Sequence, residues 1–93
     1  MRITFNRTKR DKTLAERGLD FRHAKYVFAG THLTRMDDRR EYGEPRFITA
    51  GMLDDRIVII AWTPRGVARR IISMRYGHAG EEESYRAQMD RSR

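Results

Sequence analysis

Cysteine is absent from this chain of 93 residues, and only two residues are proline. Because there is no thiol, the chain can form neither a disulfide nor a thiolate metal site, and this composition suits a reducing cytoplasm. The longest apolar run, Ile57 to Trp62, is far shorter than the roughly 20 residues of a membrane span. The charged N-terminus is not followed by an apolar segment, so we expect neither a secretion signal nor a membrane partner.

Linkers rich in proline, glycine or serine are also missing, and no internal repeat divides the chain. A chain of this length forms one domain, which buries only about two-thirds of the surface that its unfolded state exposes. We therefore predict a single domain over residues 1–93.

Arginine is the residue in excess. The chain has 20 Lys and Arg against 13 Asp and Glu, a net charge of +7, and 17 of the cations are Arg. The planar guanidinium group can donate two hydrogen bonds to one phosphate, so this charge favours a polyanion such as RNA as the partner. Arginine content also follows the base composition of a genome, and an acidic protein partner would use the same charge, so both alternatives stay open.

The N-terminal third reads as one strand and two helices. Arg2–Phe5 alternates as a strand does, and Asn6 can cap a helix that ends at Gly18. Asp20 can cap a second helix, which ends at Gly30. The apolar residues of that second helix recur at i, i+3, i+6 and i+7 and predict a buried stripe: Phe21, Ala24, Val27 and Phe28.

The remaining sequence predicts four strands and a last helix. The strands are Thr31–Met36, Arg46–Leu53, Arg56–Thr63 and Val67–Arg75. Asp37–Glu41 is predicted to be a turn or an exposed loop, Asp54–Asp55 a hairpin turn, and Pro64–Gly66 the next turn. The helix spans Ala79–Gln88, with glutamates in its first turn. This order predicts an α+β fold in which N-terminal helices pack on a small antiparallel sheet and a C-terminal helix follows.

The strand from Val67 to Arg75 is unusual because it combines core residues with cations. Four arginines and no acidic residue lie between Thr63 and Arg75. Regular alternation predicts two faces, the first with Arg69, Ile71, Ser73 and Arg75, the second with Arg70, Ile72 and Met74. We expect the second face to be the more buried one, which leaves Ser73 and Arg75 on an open, basic surface.

Short motifs are spread over nearly the whole chain. In order, they are Phe5-Asn6-x-x-Lys9, Gly18-Leu19-x-Phe21, Ala24, Val27-Phe28, Tyr42-Gly43-Glu44-x-Arg46, Gly51, Arg56, Thr63-x-Arg65-Gly66, Arg70-Ile71-Ile72-Ser73-x-Arg75, Glu81 and Tyr85. In this order and spacing they resemble the BrnT family of toxins. The resemblance implies a RelE-like ribonuclease fold and RNA cleavage that arrests translation and growth.

The same resemblance implies partners. A BrnA-like antitoxin with a ribbon-helix-helix domain would neutralise the toxin in a hetero-oligomer, and the toxin would contact operator DNA only through that antitoxin. The chain departs from the family pattern, for example at Arg17, where a histidine is usual, and at Tyr76. The alternative function is therefore a catalytically inactive nucleic-acid-binding or regulatory module that retains antitoxin binding.

Metal-independent RNA cleavage needs a deprotonated 2′-hydroxyl, stabilisation of the charge on the phosphorane, and a proton for the leaving 5′-oxygen. Arginine suits the second task, whereas its high pKa makes it a poor base. We predict that Arg65, Arg70 and Arg75 bind and stabilise the scissile phosphate, and that Glu44 is a candidate general base. The alternative for each of them is a structural ion pair, with Glu81 as one possible partner.

Four further residues are predicted to bind RNA: Lys9, Arg46, Arg69 and Trp62. For Trp62 the default is a core or sheet-face position, and stacking on a base is the alternative. His78 is a candidate acid for the leaving group. Neither His23 nor His32 has the spacing of a metal ligand, and no cofactor motif is present, so we predict neither a metal nor a cofactor.

Overall fold

The structure is a computed structural model that describes residues 1–91. Its strands are β1 (Arg2–Phe5), β2 (His32–Met36), β3 (Phe47–Leu53), β4 (Arg56–Arg65) and β5 (Ala68–Tyr76). Its helices are α1 (Arg7–Arg17), α2 (Ala24–Ala29), which follows a 3₁₀ turn over Phe21–His23, and α3 (Ala79–Arg91). The predicted α+β class is confirmed.

The five strands form one sheet in the order β1-β5-β4-β3-β2. Adjacent strands in this sheet are antiparallel, except that β1 and β5 are parallel, with Arg2 beside Ala68. The prediction of an antiparallel sheet is therefore wrong at this edge. After β1 the chain forms two helices and the strands β2, β3 and β4 before β5 returns to the side of β1. The first and last strands therefore run in the same direction.

The predicted caps explain where the N-terminal helices begin and end. The Asn6 side chain accepts a hydrogen bond from the Lys9 amide at 3.0 Å, and Gly18 ends α1 with a left-handed φ of 70°. The Asp20 carboxylate accepts a hydrogen bond from the Arg22 amide at 2.9 Å. Such caps satisfy amides that a helix end leaves unpaired.

The sheet is buried on both faces. The face that packs against the 3₁₀ turn and α2, called the α2 face, belongs to a core of Leu19, Phe21, Ala24, Val27, Phe28, Val58, Ile60, Trp62, Ile71 and Met74. The opposite face, called the α3 face, belongs to a core of Ile48, Ala50, Ile57, Ile59, Ala61 and Met89. Full burial of one such aliphatic side chain contributes roughly 1.5–3 kcal/mol.

The contact between α2 and β3 is close because Gly51 has no side chain. A Cβ atom at this position would lie 2.7 Å from Cγ1 of the buried Val27 and 3.0 Å from Cβ of His32. Both distances are too short for carbon atoms, so glycine allows the helix to approach the sheet.

The two hairpin turns differ in how well the sequence predicted them. Asp54 and Asp55 form the first, both with positive φ, as a two-residue hairpin turn requires. The second turn was predicted at Pro64–Gly66, but β4 continues through Arg65 and the turn begins at Gly66. Proline is tolerated in β4 because Pro64 lies beyond the last β3 pairing, so its missing N–H costs no bond on that side.

β5 contains a bulge. Ser73 pairs with Ala61, but Ile71 pairs with the next residue, Trp62, so Ile72 has no residue opposite it. The extra residue shifts the alternation of side chains. Ile71 and Met74 consequently share the core of the α2 face, and the predicted assignment of the two β5 faces is wrong.

Candidate functional site

The bulge determines which arginines of β5 share a face. Cross-strand partners point to the same side of a sheet, and Ser73 and Arg75 pair with residues in the core of the α3 face. Arg70 lies on the other side of the bulge and pairs with Thr63. Thr63 is two residues after Ala61 in β4, so Thr63 and its partner Arg70 lie on the same face as Ala61. The α3 face therefore carries Arg70, Ser73 and Arg75, whereas regular alternation predicted Arg69 in place of Arg70.

A small polar cleft opens on the α3 face, between the sheet and α3. Its volume is roughly 90 Å³. Aliphatic residues of β3 and β4 form its floor, and its polar lining consists of Arg35, Arg39, Ser73, Arg75, Glu81 and Tyr85. Three guanidinium groups from β2, the loop after β2, and β5 thus surround one space.

Arg75 is held in the cleft by Glu81, the third residue of α3. Nη1 and Nη2 of Arg75 donate to the two Glu81 carboxylate oxygens at 2.8 and 2.9 Å. The hydrogen bonds from Arg75, together with one from the His78 amide, lower the pKa of Glu81 to about 2. The pairing with Glu81 in turn raises the pKa of Arg75. The ion pair that the sequence left open as the alternative for Arg75 is present.

The loop after β2 contains a buried acid, although the sequence predicted an exposed turn. The Asp37 side chain is 1% exposed. It accepts hydrogen bonds from Nε and Nη2 of Arg39 at 2.7 and 2.9 Å and from the Tyr42 hydroxyl at 3.2 Å. The predicted exposure of Asp37 is wrong because these donors replace the water that a buried carboxylate loses.

Glu44 and Arg65, two predicted catalytic residues, form an ion pair. Nη1 of Arg65 lies 2.5 Å from the Glu44 carboxylate. The Thr63 hydroxyl donates to the Pro45 carbonyl at 2.6 Å and lies 3.3 Å from Glu44. The hydrogen bond from Arg65 is the main cause of the lowered pKa of Glu44, which makes this carboxylate a weaker proton acceptor. These contacts are those of the strand-edge ion pair that was the alternative for Glu44.

Three other predicted residues form a second group of cations, called the basic cluster: Lys9, Arg46 and Arg70. Burial lowers the pKa of Lys9, and the charges of Arg46 and Arg70 lower it further. Arg46 stacks on the Tyr42 ring, with its guanidinium carbon 4.1 Å from the ring centroid. Because Arg70 shares a strand face with Ser73, the basic cluster continues from the cleft along β5.

Trp62 and Arg69 lie on the opposite, α2 face. Trp62 is 8% exposed, its ring stacks on Phe47, and its Nε1 donates to the Thr49 hydroxyl at 2.8 Å. The guanidinium carbon of Arg69 lies 4.6 Å from the Trp62 ring centroid and 4.4 Å from that of Phe28. Trp62 is thus a core residue covered by Arg69, and its ring has no open face for a nucleobase.

The sequence interpretation did not assign Arg35 or Arg39 to a site. Arg35 pairs with Ile48 across β2 and β3, which assigns it to the α3 face beside the cleft. A signal for Arg39 was available, because Asp37-x-Arg39 repeats the spacing of Asp20-x-Arg22. In both places a buried aspartate pairs with the arginine two residues later.

Comparison with known proteins identifies a family for this chain. Residues 5–81 match the family described as "Ribonuclease toxin, BrnT, of type II toxin-antitoxin system". A search of curated proteins gave no match. Within residues 1–91, no three side chains among His, Asp and Glu are placed to hold a metal ion, and no helix is long and apolar enough to cross a membrane.

The matched range contains every residue predicted from the sequence to contact RNA or to take part in catalysis, from Lys9 to His78, together with Glu81. It covers more than four fifths of the chain, and it confirms the resemblance that the motifs predicted. The chain therefore belongs to the BrnT family, the ribonuclease toxins of type II toxin-antitoxin systems.

Proposed function

We propose that this toxin cleaves RNA in the polar cleft between the sheet and α3, by attack of the neighbouring 2′-hydroxyl and without a metal ion. The observation that carries the proposal is the β5 bulge, which places Ser73 and Arg75 in the lining of the cleft and Arg70 on the same face, further along β5. The arginines supply hydrogen bonds and positive charge to the phosphorane, the task for which a guanidinium group is best suited.

The basic cluster of Lys9, Arg46 and Arg70 supports a path for the RNA backbone. A row of cations beside a catalytic cleft would neutralise successive phosphates of a single strand, which makes affinity dependent on salt. Arg65 lies near the same end of the sheet, where Glu44 fixes its orientation. Arg69 and Trp62 do not belong to this path, because they lie on the α2 face.

The biological setting follows from the family. We propose a RelE-like fold, arrest of translation through RNA cleavage in the cytoplasm, and neutralisation by a BrnA-like antitoxin with a ribbon-helix-helix domain. The toxin and antitoxin would form a hetero-oligomer that contacts operator DNA through the antitoxin. The mixed sheet with helices on both faces and the excess of arginine support this assignment.

One observation favours the alternative, an inactive module that binds nucleic acid and retains its antitoxin. Two of the predicted phosphate ligands, Arg65 and Arg75, already donate to the carboxylates of Glu44 and Glu81. A toxin that had lost activity could keep both ion pairs as structural links.

Cleavage of a labelled single-stranded RNA by the purified chain, in buffer containing EDTA, decides between them. We expect cleavage that stops when the nucleotide 5′ to the scissile phosphate carries a 2′-deoxy sugar and when the cognate antitoxin is added. We also expect induced expression to arrest growth. A chain that binds its antitoxin but leaves RNA intact and growth unchanged would establish the inactive module, and cleavage that requires added Mg²⁺ would overturn the metal-independent mechanism.

A further inference from the structure

Of the two arginines that form ion pairs at the cleft, Arg39 has the more exposed side chain. Its side chain is 67% exposed, against 36% for Arg75. Arg39 uses Nε and Nη2 for Asp37, so within residues 1–91 the hydrogens of Nη1 and the outer hydrogen of Nη2 have no carboxylate partner. Arg75 instead gives both Nη atoms to Glu81.

Asp37 fixes the orientation of that guanidinium group. Its carboxylate is buried and receives the Tyr42 hydroxyl as a further donor, and its amide donates to the Arg46 carbonyl at 2.8 Å. If Arg39 rotated away, a buried carboxylate would lose its main partner, which is energetically costly. Arg39 is therefore held in place before any ligand binds.

Arg39 and Arg75 face the same space. Both line the cleft, and although the hydrogen bond with Glu81 raises the pKa of Arg75, the charge of Arg39 acts in the opposite direction. Three arginines and one carboxylate, that of Glu81, line the cleft, and this excess of positive charge favours an anion that Arg39 and Arg75 can both contact.

We propose that Arg39 is a phosphate-binding residue of the cleft, that Asp37 is its positioning residue, and that Tyr42 holds Asp37 in place. The ligand is a phosphodiester of single-stranded RNA. This inference rests on the proposed function, because it assigns the phosphate of the same cleft to a residue outside the β5 arginines.

The chain contains a matched control for this pair. Asp20 and Arg22 have the same spacing, with side-chain exposures of 6% and 63% and an Nη2 to Oδ2 distance of 2.7 Å. They lie at the start of the 3₁₀ turn, beside Phe21 in the core of the α2 face. Substitution there removes the same chemical groups from the opposite face of the sheet.

The experiment compares Arg39→Gln with Arg22→Gln in cleavage of one single-stranded RNA oligonucleotide. We expect Arg39→Gln to lower kcat/KM by about 100-fold, the usual effect of removing one donor to a transition-state anion, and Arg22→Gln to leave it unchanged. Arg39→Lys should recover affinity but only part of kcat, because an ammonium group keeps the charge and loses the fork. Equal kcat/KM for the Arg39→Gln and Arg22→Gln proteins would overturn the inference.

The positioning role has its own variants. Asp37→Asn should lower kcat more than it raises KM, whereas Asp20→Asn should alter only the melting temperature. Tyr42→Phe keeps the ring under Arg46 and removes one hydrogen bond to Asp37, so it tests the same role even where Asp37→Asn fails to fold. If the folded Asp37→Asn protein kept the wild-type kcat, the positioning role would be excluded. Where Asp37→Asn does not fold, a wild-type kcat in the Tyr42→Phe protein would exclude it.

Binding of the 2′-deoxy oligonucleotide, which cannot be cleaved, separates this inference from the proposed function. Loss of one phosphate contact should reduce the slope of log affinity against log salt by about 0.7 for Arg39→Gln, and by nothing for Arg22→Gln. If the wild-type chain binds RNA without cleaving it, the proposed function fails. An Arg39→Gln protein with the wild-type slope overturns the phosphate contact in either case.

Discussion

Both Nη atoms of Arg75 donate to the carboxylate of Glu81, at 2.8 and 2.9 Å, and this pair links β5 to the first turn of α3. One of the same carboxylate oxygens accepts a hydrogen bond from the His78 amide at 2.9 Å. Glu81 therefore caps α3 and orients Arg75 at once. The relationship suggests that a residue outside the sheet sets the geometry of the cleft.

Glu81→Gln should separate these two tasks. Glutamine keeps an acceptor for the His78 amide and removes the negative charge, so we expect the free energy of unfolding to fall by less than about 1 kcal/mol, as for other partly exposed ion pairs. RNA affinity should rise because the cleft gains net positive charge, while kcat falls because Arg75 is less well oriented. Binding titrations and single-turnover rates measure the two effects. Unchanged affinity and an unchanged rate would show that Arg75 does not contact RNA.

Arg75→Ala and Arg65→Ala should abolish toxicity while the fold and antitoxin binding stay near those of the wild type. Each substitution removes a predicted phosphate ligand and leaves a carboxylate that is partly exposed, so the unpaired charge can be hydrated. Growth after induction reports toxicity, and thermal melts report the fold. Arg91→Ala, at the end of α3, is the matched control. An Arg75→Ala protein that is unfolded at the growth temperature would instead indicate a structural role.

The N-terminal helices were predictable because their signals are local. Asn6, Gly18 and Asp20 act on residues within one helical turn, and they occupy the predicted capping positions. The hairpin at Asp54–Asp55 is local in the same sense. Two features that the sequence did not predict, the β5 bulge and the pairing of β1 with β5, depend instead on residues far apart in the chain.

The β5 bulge is the most important of these. Every residue from Arg69 to Arg75 fits regular alternation when the strand is considered alone, and only the pairing with β4 introduces the extra residue, Ile72. The parallel pairing of β1 with β5 joins segments at opposite ends of the chain. Asp37 is buried only because Arg39 and Tyr42 satisfy it. For these reasons the sequence predicted the charge of the candidate site, but it left open whether Arg69 or Arg70 shares a face with Arg75.

The buried carboxylates predict a loss of stability in acid. The pKa of Asp37 and that of Asp20 are each lowered to about 2, mainly by hydrogen bonds from Arg39 and Arg22. A folded-state pKa below that of the unfolded chain contributes stability at higher pH, and this contribution is lost as the pH falls from about 4 towards 2. Urea unfolding at a series of pH values should show this decline.

Asp37→Asn provides the control for that measurement. It should be less stable than the wild type at pH 7, and the difference should shrink as the pH falls towards 2, because the wild type then loses the same charge. If the difference were constant across this range, the ionised form of Asp37 would contribute nothing to stability.

Gly51→Ala should destabilise the fold by about 1–3 kcal/mol, the usual cost of overpacking a core. The added methyl group would meet Val27 at 2.7 Å and force α2 away from β3. Val27→Ala removes the group that it meets, so the double variant should be more stable than the sum of the two single effects predicts. Urea unfolding of the four proteins gives this coupling. Strict additivity would show that α2 does not lie against Gly51.

Trp62 offers a direct test of the two faces, because it is the only tryptophan in the chain. A ring that is stacked on Phe47 and bonded to Thr49 on the α2 face should give blue-shifted fluorescence that added RNA does not quench. Trp62→Phe should lower the free energy of unfolding by about 1–3 kcal/mol, since it removes buried ring volume and the hydrogen bond to Thr49, whose hydroxyl keeps its contact with Thr34, and should leave RNA affinity unchanged. Quenching by the 2′-deoxy oligonucleotide, together with weaker RNA binding by Trp62→Phe, would instead place the RNA on the α2 face beside Arg69.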